Sequence, residues 1–469
     1  MIRTQIAIIG AGPGGYVAAL RAAQLGAEVV CIEKEAVGGV CLNWGCIPTK
    51  ALLRTAEVYD LARKAGEFGV LVGEPRLDWQ AAQKRKDEVK ARLTRGVRTL
   101  LSQAGVQVVQ GQARLARANT LRVTSSQGKE TIVADDILIA TGSRHLDVPI
   151  PGLDDPGILN STSILQLEAL PASLCVVGSG AIGVEFACLM ATLGVQVTLI
   201  EMLPRIAPLM DETIGDMLAR SLRRRGITIH TNTRVTAVAK TEAGYLVSMS
   251  SEKDGDAQVE VEKVLSAIGR APNVEDLGLE AAGIRPTRRG IAVDDRMRTV
   301  APHVYAVGDC AAEGPMLAHM ASHQGIVAVE DALGRPAHVD YSAVPSCIFT
   351  LPEAAGVGLT EAQAREQGYA VQTGMFALAA NGKALAYGES EGFVKIVSES
   401  ENDAILGVHI LGPHASDLIL EGTLLRQFEV TLDEVEQVIH PHPTLGEAVG
   451  EAVLAVRDRA LHAAPRRRR

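Results

Sequence analysis

Cys41 and Cys46 stand five positions apart in GGVCLNWGCIPTKALL, residues 38–53, each close to a glycine and just ahead of Pro48 and Lys50. In a reducing compartment such a pair is more often redox-active or metal-binding than structural. Zinc would want two more soft ligands at short spacing, and no second Cys or Cys/His pair lies nearby, so no metal site is expected. In a regular helix, residues five apart have Cα atoms roughly 9 Å apart, whereas a disulfide needs less than about 7 Å. A bridge therefore requires a break in the helix, for which Gly45 and Pro48 are suited. With Pro48 in the first turn of a helix running through KALLRTAEVYDLARKAG, Cys46 lies near a helix N-terminus, a setting that favours the thiolate. Cys41, farther out, is the natural sulfur for an incoming thiol to attack. The chain has seven cysteines, an odd number. Cys31, Cys175, Cys188, Cys310 and Cys347 are expected to be buried small hydrophobes.

A thiol that attacks a disulfide must lose its proton, so a base is wanted. Among eleven histidines, His442 in HPHPTLGE is the best candidate: prolines flank it, and Glu447 is placed to fix its tautomer and support the imidazolium. His440 is the rival.

What must position these groups is an internal repeat. QIAIIGAGPGGYVAALRAAQLGAEVVCIE carries a strand, Gly10-x-Gly12-x-x-Gly15, an alanine-rich helix, a second strand and Glu33. SLCVVGSGAIGVEFACLMATLGVQVTLIE repeats that order with Gly178, Gly180, Gly183 and Glu201, and 18 residues separate third glycine from acid in both. This is the dinucleotide-binding βαβ fingerprint: a tight turn at the first glycine, pyrophosphate approach at the second, helix-on-strand packing at the third. The phosphates sit at a helix N-terminus, and the closing Glu can accept hydrogen bonds from ribose hydroxyls. Two dinucleotide sites and a cysteine pair imply electron transfer between two cofactors and a disulfide. The cysteines follow the first acid by only eight residues. A flavin can accept a thiolate and pass on hydride, so the first site is assigned to FAD and the second to a nicotinamide. Glu201 favours NAD over NADP, because a carboxylate repels a 2′-phosphate; Arg205 argues the other way.

Beyond the repeats, ADDILIATGSRHLDVPIPG reads as a strand with a proline-rich exit, and VEKVLSAIGRAPN as the strand that closes the second unit. TVAPHVYAVGDCA reads as a short strand ending at Gly308 and Asp309, where an acid can hold a polyol. After Tyr341, VKIVSESENDAILGVHILG reads as a β-hairpin, DLILEGTLLRQF and TLDEVEQVI as helices, and IHPHPTLGEAVGEAVLAV as a turn before a final helix. A formal net charge of −9 and 3% aromatic residues argue against a nucleic-acid surface. No apolar run reaches the roughly 18 residues a spanning helix needs, and the first strand leaves no room for a leader, so a cytoplasmic location is expected. PRRRR, residues 465–469, reads as a solvated tail or a tether to an acidic partner.

These motifs, with GPMLAH and VPSCIFTLPEAAGVGLTE, resemble those of the dihydrolipoamide dehydrogenase family within the class I pyridine nucleotide-disulfide oxidoreductases, over essentially the whole chain. The resemblance implies an α/β protein of two Rossmann-like dinucleotide-binding domains, the FAD domain interrupted by the NAD domain, plus a C-terminal α+β dimerisation domain. The divisions expected are 1–144 and 270–342 for FAD, 145–269 for NAD and 343–469 for the interface. It implies a homodimer in which His442 and Glu447 face Cys41 and Cys46 of the other subunit. By position, Cys46 resembles the sulfur against the flavin and Cys41 the interchange thiol. Lys50 matches a lysine near the flavin ring, paired with Glu185, itself placed among the NAD residues. Ala113, Thr141, Gly142, Ser143, Asp309 and Ala318 fall on FAD positions, and Val235 and Gly269, with Glu201, on NAD positions. The activity implied is oxidation of protein-bound dihydrolipoamide to lipoamide with NAD, in a 2-oxo-acid dehydrogenase-type complex with lipoyl domains and an E2-type acyltransferase. Pro441 departs from the alanine common in the family. Another NAD(P)H-dependent disulfide reductase, or a mainly structural assembly subunit, are the alternatives; a glutathione reductase would want basic residues in place of Glu201.

Overall fold

The computed structural model describes residues 1–463; the basic tail at 465–469 lies outside them. The first repeat folds as β1 (Ile2–Ile9), α1 (Pro13–Gln24) and β2 (Val29–Glu33). Two helices follow, α2 (Gly39–Trp44) and α3 (Cys46–Arg63), then the long α4 (Trp79–Gln103), started by Asp78, whose carboxylate accepts from Ala81 N at 2.9 Å. Next come β3 (Gln107–Gln110), β4 (Gln112–Arg117), β5 (Thr120–Ser125), β6 (Gly128–Ile139) and β7 (Ser143–His145). The second repeat is β8 (Ser173–Val177), α5 (Ala181–Thr192) and β9 (Gln196–Ile200), continued by α6 (Glu212–Arg224), β10 (Thr228–His230), β11 (Thr233–Lys240), β12 (Tyr245–Ser251), β13 (Gly255–Val261), β14 (Lys263–Ser266) and β15 (Arg270–Pro272). The chain returns through β16 (Val304–Ala306) and α7 (Ala318–Ala332). It ends with β17 (Ser346–Ile348), β18 (Glu353–Gly358), α8 (Glu361–Glu366), β19 (Val371–Ala377), α9 (Gly382–Tyr387), β20 (Phe393–Glu399), β21 (Ile405–Gly412), α10 (Ala415–Gln427), α11 (Leu432–Val435) and α12 (Glu447–Val456).

Strands β3, β2, β1, β6 and β16 are parallel neighbours in that order, while β5 and β4 pair antiparallel along the first half of β6. All five residues of β2 are buried, the unbroken apolar run expected of a strand covered on both faces. Register places Ile9 against Ile139 and Ile139 against Ala306. The turns that follow, starting at Gly10, Ala140 and Val307, therefore open at one sheet edge, the carboxyl end where ligands of such sheets bind. The second repeat builds its own parallel sheet, β10-β9-β8-β14, with β11-β12-β13 as an antiparallel flank. β7 and β15, the chain's two crossings between these units, pair with each other. The C-terminal sheet, β17-β18-β21-β20-β19, is antiparallel and carries α10 and α12.

Most expected elements are present. One differs, TLDEVEQVI keeping only the short α11; α3 starts at Cys46 and so holds Pro48 in its first turn, as expected. Of the five cysteines expected to be buried, Cys347 is only half-buried. The described residues contain no helix long and apolar enough to cross a membrane.

The cysteine segment is seated by backbone contact. Gly39 has φ +57°, and a Cβ there would lie 2.7 Å from Gly12 Cα, in the first glycine loop. The left-handed conformation costs a side chain about 1–2 kcal/mol, and the collision adds to it. Gly105, at φ +75° with open space around it, bears only the first cost. Gly39→Ala is therefore expected to lower the thermal unfolding midpoint clearly more than Gly105→Ala, measured by calorimetry under matched conditions. Equal shifts would mean that the contact with Gly12 contributes nothing.

Candidate active site

The two sulfurs sit where the helix breaks. α2 ends at Trp44, Gly45 turns the chain with φ −144° and ψ −111°, and Cys46 is the first residue of α3. A Cβ on Gly45 would press on Val40, with its O at 3.1 Å and Cγ1 at 3.2 Å, so the turn is tight as well as bent. The break brings the Cys41 thiol within hydrogen-bonding distance of Cys46, and the pair splits in character. That bond to Cys46, with burial, holds the Cys41 proton on and pushes its pKa up. Cys46 accepts that bond and faces the Lys50 ammonium, and its thiol is lowered to about 7 despite burial. The first turn of α3 adds unsatisfied N–H groups on the same side.

Lys50, one turn along α3, donates from Nζ to both oxygens of Glu185 on α5, at 3.0 and 2.8 Å. Glu185 also accepts from Phe349 N at 3.0 Å, and the Lys50 ammonium lies 4.4 Å from the centre of the Phe349 ring. The first repeat's cysteine helix, the second repeat's helix and the C-terminal sheet's entry thus meet at one cation.

The two glycine loops are superimposable in logic. Gly10 and Gly178 have φ +102° and +96°, and a Cβ on either would strike the backbone of the neighbouring strand's exit, Ala140 O at 2.3 Å or Ala267 O at 2.7 Å. A Cβ on Gly15 or Gly183 would strike the first glycine's carbonyl, at 1.8 and 2.0 Å. The middle glycines differ: a Cβ on Gly180 meets nothing within 4 Å, and one on Gly12 only Gly39 Cα at 3.9 Å. The protein's own packing does not require glycine there, so the bare backbone leaves a cradle for something else, and α1 and α5 begin there with no side-chain cap. The closing acids tie back to the same loops. Glu33 accepts from Ala11 N at 2.7 Å and Glu35 N at 2.8 Å; Glu201 accepts from Ser179 N at 2.9 Å, Ser179 Oγ at 2.7 Å and Leu203 N at 2.9 Å. Arg205 pairs with Glu212 at 3.0 Å and Asp216 at 3.3 Å, which compete with a 2′-phosphate for it. Both cradles fit a dinucleotide.

Asp309, just past β16, accepts from Ser143 Oγ, and Arg270 Nε donates to that same oxygen at 2.7 Å while Nη2 donates to Ser143 O at 2.7 Å. Burial pulls the Arg270 pKa down, against the charges of Asp309 and Cys46. A cavity of about 270 Å³ opens here, lined by Arg270, Gly308, Gly314 and Met316 among others, with room for an extended polyol chain. Thr141 and Gly142 bond to Asn273: Thr141 Oγ1 donates to Asn273 O at 2.7 Å, and Asn273 N donates to Gly142 O at 2.9 Å. Ala318 opens α7; Ala113 and Val235 are buried in β4 and β11, and Gly269 has φ +147°. Sequence reasoning missed Arg270 and Phe349. An arginine directly after Gly269, at the exit of an apolar strand, was the available signal for the first; the second had none.

His442 Nδ1 lies 2.8 Å from Glu447 Oε1, and Thr444 N donates to Oε2 at 2.8 Å. The Thr444 N–H, then the His442 ring, hold the Glu447 carboxyl below its usual range, so it is ionised and only accepts. Nδ1 must then be the donor, which leaves Nε2 of a neutral ring as a free base. The side chain is 79% exposed, against 14% for His440, which is closed in against Glu421 at 2.8 Å. Within one chain neither His442 nor Glu447 bonds to Cys41, Cys46 or Lys50.

The thiol asymmetry gives a direct test. Removing the Lys50 charge destabilises the Cys46 thiolate, so its pKa must rise. In Lys50→Met, the pH for half-maximal alkylation of Cys46 in the reduced protein should move up from about 7 by about one unit or more, followed by mass spectrometry of the labelled peptide. An unmoved midpoint would remove Lys50 from the account.

Residues 4–325 match the family described as pyridine nucleotide-disulphide oxidoreductase, and residues 344–453 match its dimerisation domain. Similar proteins include a dihydrolipoyl dehydrogenase of Bacillus subtilis, 43% identical over 97% of this chain and 98% of that one. One from Zymomonas mobilis is 41% identical, with 97% and 98% covered. Among solved structures, LpdA from Mycobacterium tuberculosis superposes with a TM-score of 0.88 at 31% identity, covering 97% of this chain and 99% of the other. The flavoprotein disulfide reductase RclA from Escherichia coli gives 0.85 at 30%, covering 96% and 99%. With its two glycine cradles, its paired thiols and its C-terminal dimerisation domain, the chain belongs to the pyridine nucleotide-disulphide oxidoreductase family.

Proposed function

We propose that the protein is a cytoplasmic homodimer that oxidises the dihydrolipoyl group of a carrier protein to lipoyl disulfide with NAD as acceptor, as the E3 component of a 2-oxo-acid dehydrogenase-type complex. The observation that carries this reading is the unequal thiol pair, Cys41 and Cys46, beside the first glycine cradle. The dihydrolipoyl dehydrogenase names of relatives above 40% identity support the substrate. Residues 1–144 and 270–342 are assigned to FAD, 145–269 to NAD and 343–469 to the interface.

FAD in the first cradle supplies a two-electron relay from the reduced cysteines to NAD in the second. The protein's residues do the rest. A substrate thiolate attacks Cys41 Sγ of the Cys41–Cys46 disulfide; the S–S bond breaks and its electron pair leaves on Cys46. The lower-pKa sulfur is the better leaving group, which sets that direction. Nε2 of His442, from the partner subunit in the proposed dimer, takes the substrate proton while Glu447 steadies the ring. The second substrate thiolate then closes the lipoyl disulfide and displaces Cys41. Lys50 holds negative charge at Cys46, and Glu185 holds Lys50. Overall the dithiol loses two electrons and two protons, which balances the reduction of NAD to NADH with one proton released to solvent. The Glu201 carboxylate would repel a 2′-phosphate, which makes NADP the poorer acceptor.

Purified protein given dihydrolipoamide and NAD should produce NADH, and far less NADPH from NADP. Turnover of glutathione disulfide with NADPH instead would reverse the assignment. His442→Gln should lower dihydrolipoamide turnover about 10²-fold or more and leave NADH-driven reduction of ferricyanide near wild type. A loss in both reactions would place His442 in structure rather than proton transfer.

A further inference from the structure

α4 carries seven cations, Lys84, Arg85, Lys86, Lys90, Arg92, Arg95 and Arg98, against two acids, in a chain whose formal net charge is −9. At about 100° per residue, Lys84, Arg85, Arg92, Arg95 and Arg98 fall within roughly 140° of arc, and all five are exposed. The opposite side, Trp79, Ala82, Lys86, Val97 and Leu101, is buried. Lys84 has Glu88 at 4.0 Å and Arg85 donates to Ala51 O at 3.2 Å, but Arg92, Arg95 and Arg98 have no ion pair or hydrogen bond among the described residues. Glu88 lies in the same arc and offsets part of this charge, but Arg92, Arg95 and Arg98 still form a row of like charges a turn apart, which repel and so do not serve the helix's own stability.

Position gives the row a use. α4 packs across both α2 and α3, the helices that carry Cys41 and Cys46. Leu101 and Val97 share a core with Leu42, and Trp79 and Ala82 share one with Leu52, Leu53 and Ala56. The buried face of α4 thus backs the redox helices while its charged face looks to solvent beside them.

We infer that the cationic face of α4 is an electrostatic docking surface for the acidic carrier domain that presents the dithiol on a flexible arm. This rests on the reading under Proposed function. A local positive field on a negatively charged protein attracts an acidic partner only when that partner approaches from this side, so it orients the encounter toward the thiols. The arm needs no recognition of its own beyond the sulfurs.

The test compares free dihydrolipoamide with the same group on an acidic lipoylated carrier domain, using Arg92→Glu/Arg95→Glu and the neutral pair Arg92→Gln/Arg95→Gln. At about 0.01 M salt, where charges act over about 30 Å, the Glu pair should lose about tenfold or more in kcat/KM for carrier-bound substrate. The Gln pair should fall between it and wild type, and free substrate should be unaffected by either. At about 0.15 M salt, with a range of about 8 Å, the loss should shrink. An active wild type whose carrier-bound rate ignores the substitutions, or a loss equal on both substrates, would overturn the docking surface. Binding of anionic vesicles or of nucleic acid through these arginines, with carrier kinetics unchanged, would also overturn it. Failure of wild type on free dihydrolipoamide would instead sink the functional reading, and this inference with it.

Discussion

Everything at the redox centre depends on a backbone meeting between two glycines. Gly12, in the middle of the first fingerprint, and Gly39, at the start of α2, lie so close that neither side tolerates a side chain on Gly39. This contact fixes where α2 begins, and with it the depth at which Cys41 and Cys46 stand relative to the cradle. Side-chain contacts can slide by rotamer changes; a glycine–glycine contact leaves almost no freedom. Close packing without slack suits electron transfer between groups that must remain in van der Waals contact through many turnovers.

The sulfurs become unequal through placement rather than composition. Both are cysteines, both are partly buried, and burial alone would raise both pKa values. Cys46 escapes because the bond from Cys41, the ammonium of Lys50 and the start of α3 all favour its anion. Cys41 also feels the Lys50 ammonium, but its bond to Cys46, its burial and the Cys46 charge outweigh that, so it keeps its proton. The break at Gly45 is therefore functional twice: it brings the sulfurs together, and it makes one of them the first residue of a new helix. Lys50 is held by Glu185, which links the orientation of the second repeat's α5 to the charge felt by Cys46.

Local order was legible in the sequence because it is written within short windows. The strand, glycine turn, helix and acid of each repeat span fewer than thirty residues, and their periodicity is unmistakable. The interruption of the cysteine helix followed from a distance argument alone. What was not legible joins distant segments. Nothing in the residues around Lys50 by themselves names Glu185, 135 positions away; that pairing came only from family resemblance. Arg270 joins Ser143 across 127 positions; its place after Gly269 at the exit of an apolar strand marks it as unusual, but nothing local names its partner. Arg205 misled for the complementary reason. Its neighbours in sequence are apolar, and the acids that neutralise it, Glu212 and Asp216, lie on the next helix.

The two repeats also show how one motif can be set in two surroundings. Their glycines occupy the same conformations, and their acids bind the same loop atoms. They differ in what lies over the middle glycine. Both loops are crossed by returning chain, Gly38 N donating to Ala11 O at 2.8 Å and Ala207 N to Ser179 O at 2.9 Å, but a Cβ on Gly39 would lie 2.7 Å from Gly12 Cα whereas a Cβ on Gly180 meets nothing within 4 Å. A dinucleotide in the first cradle would lie beside the segment that carries the sulfurs. One in the second would meet no such close approach at the middle glycine. That contrast supports the flavin in the first position and the nicotinamide in the second on grounds separate from the distance between Glu33 and Cys41. It also gives the insertion of the cysteine segment after the first acid a double role, since the same sixteen residues that bring the thiols also pack on the glycine loop of the site they serve.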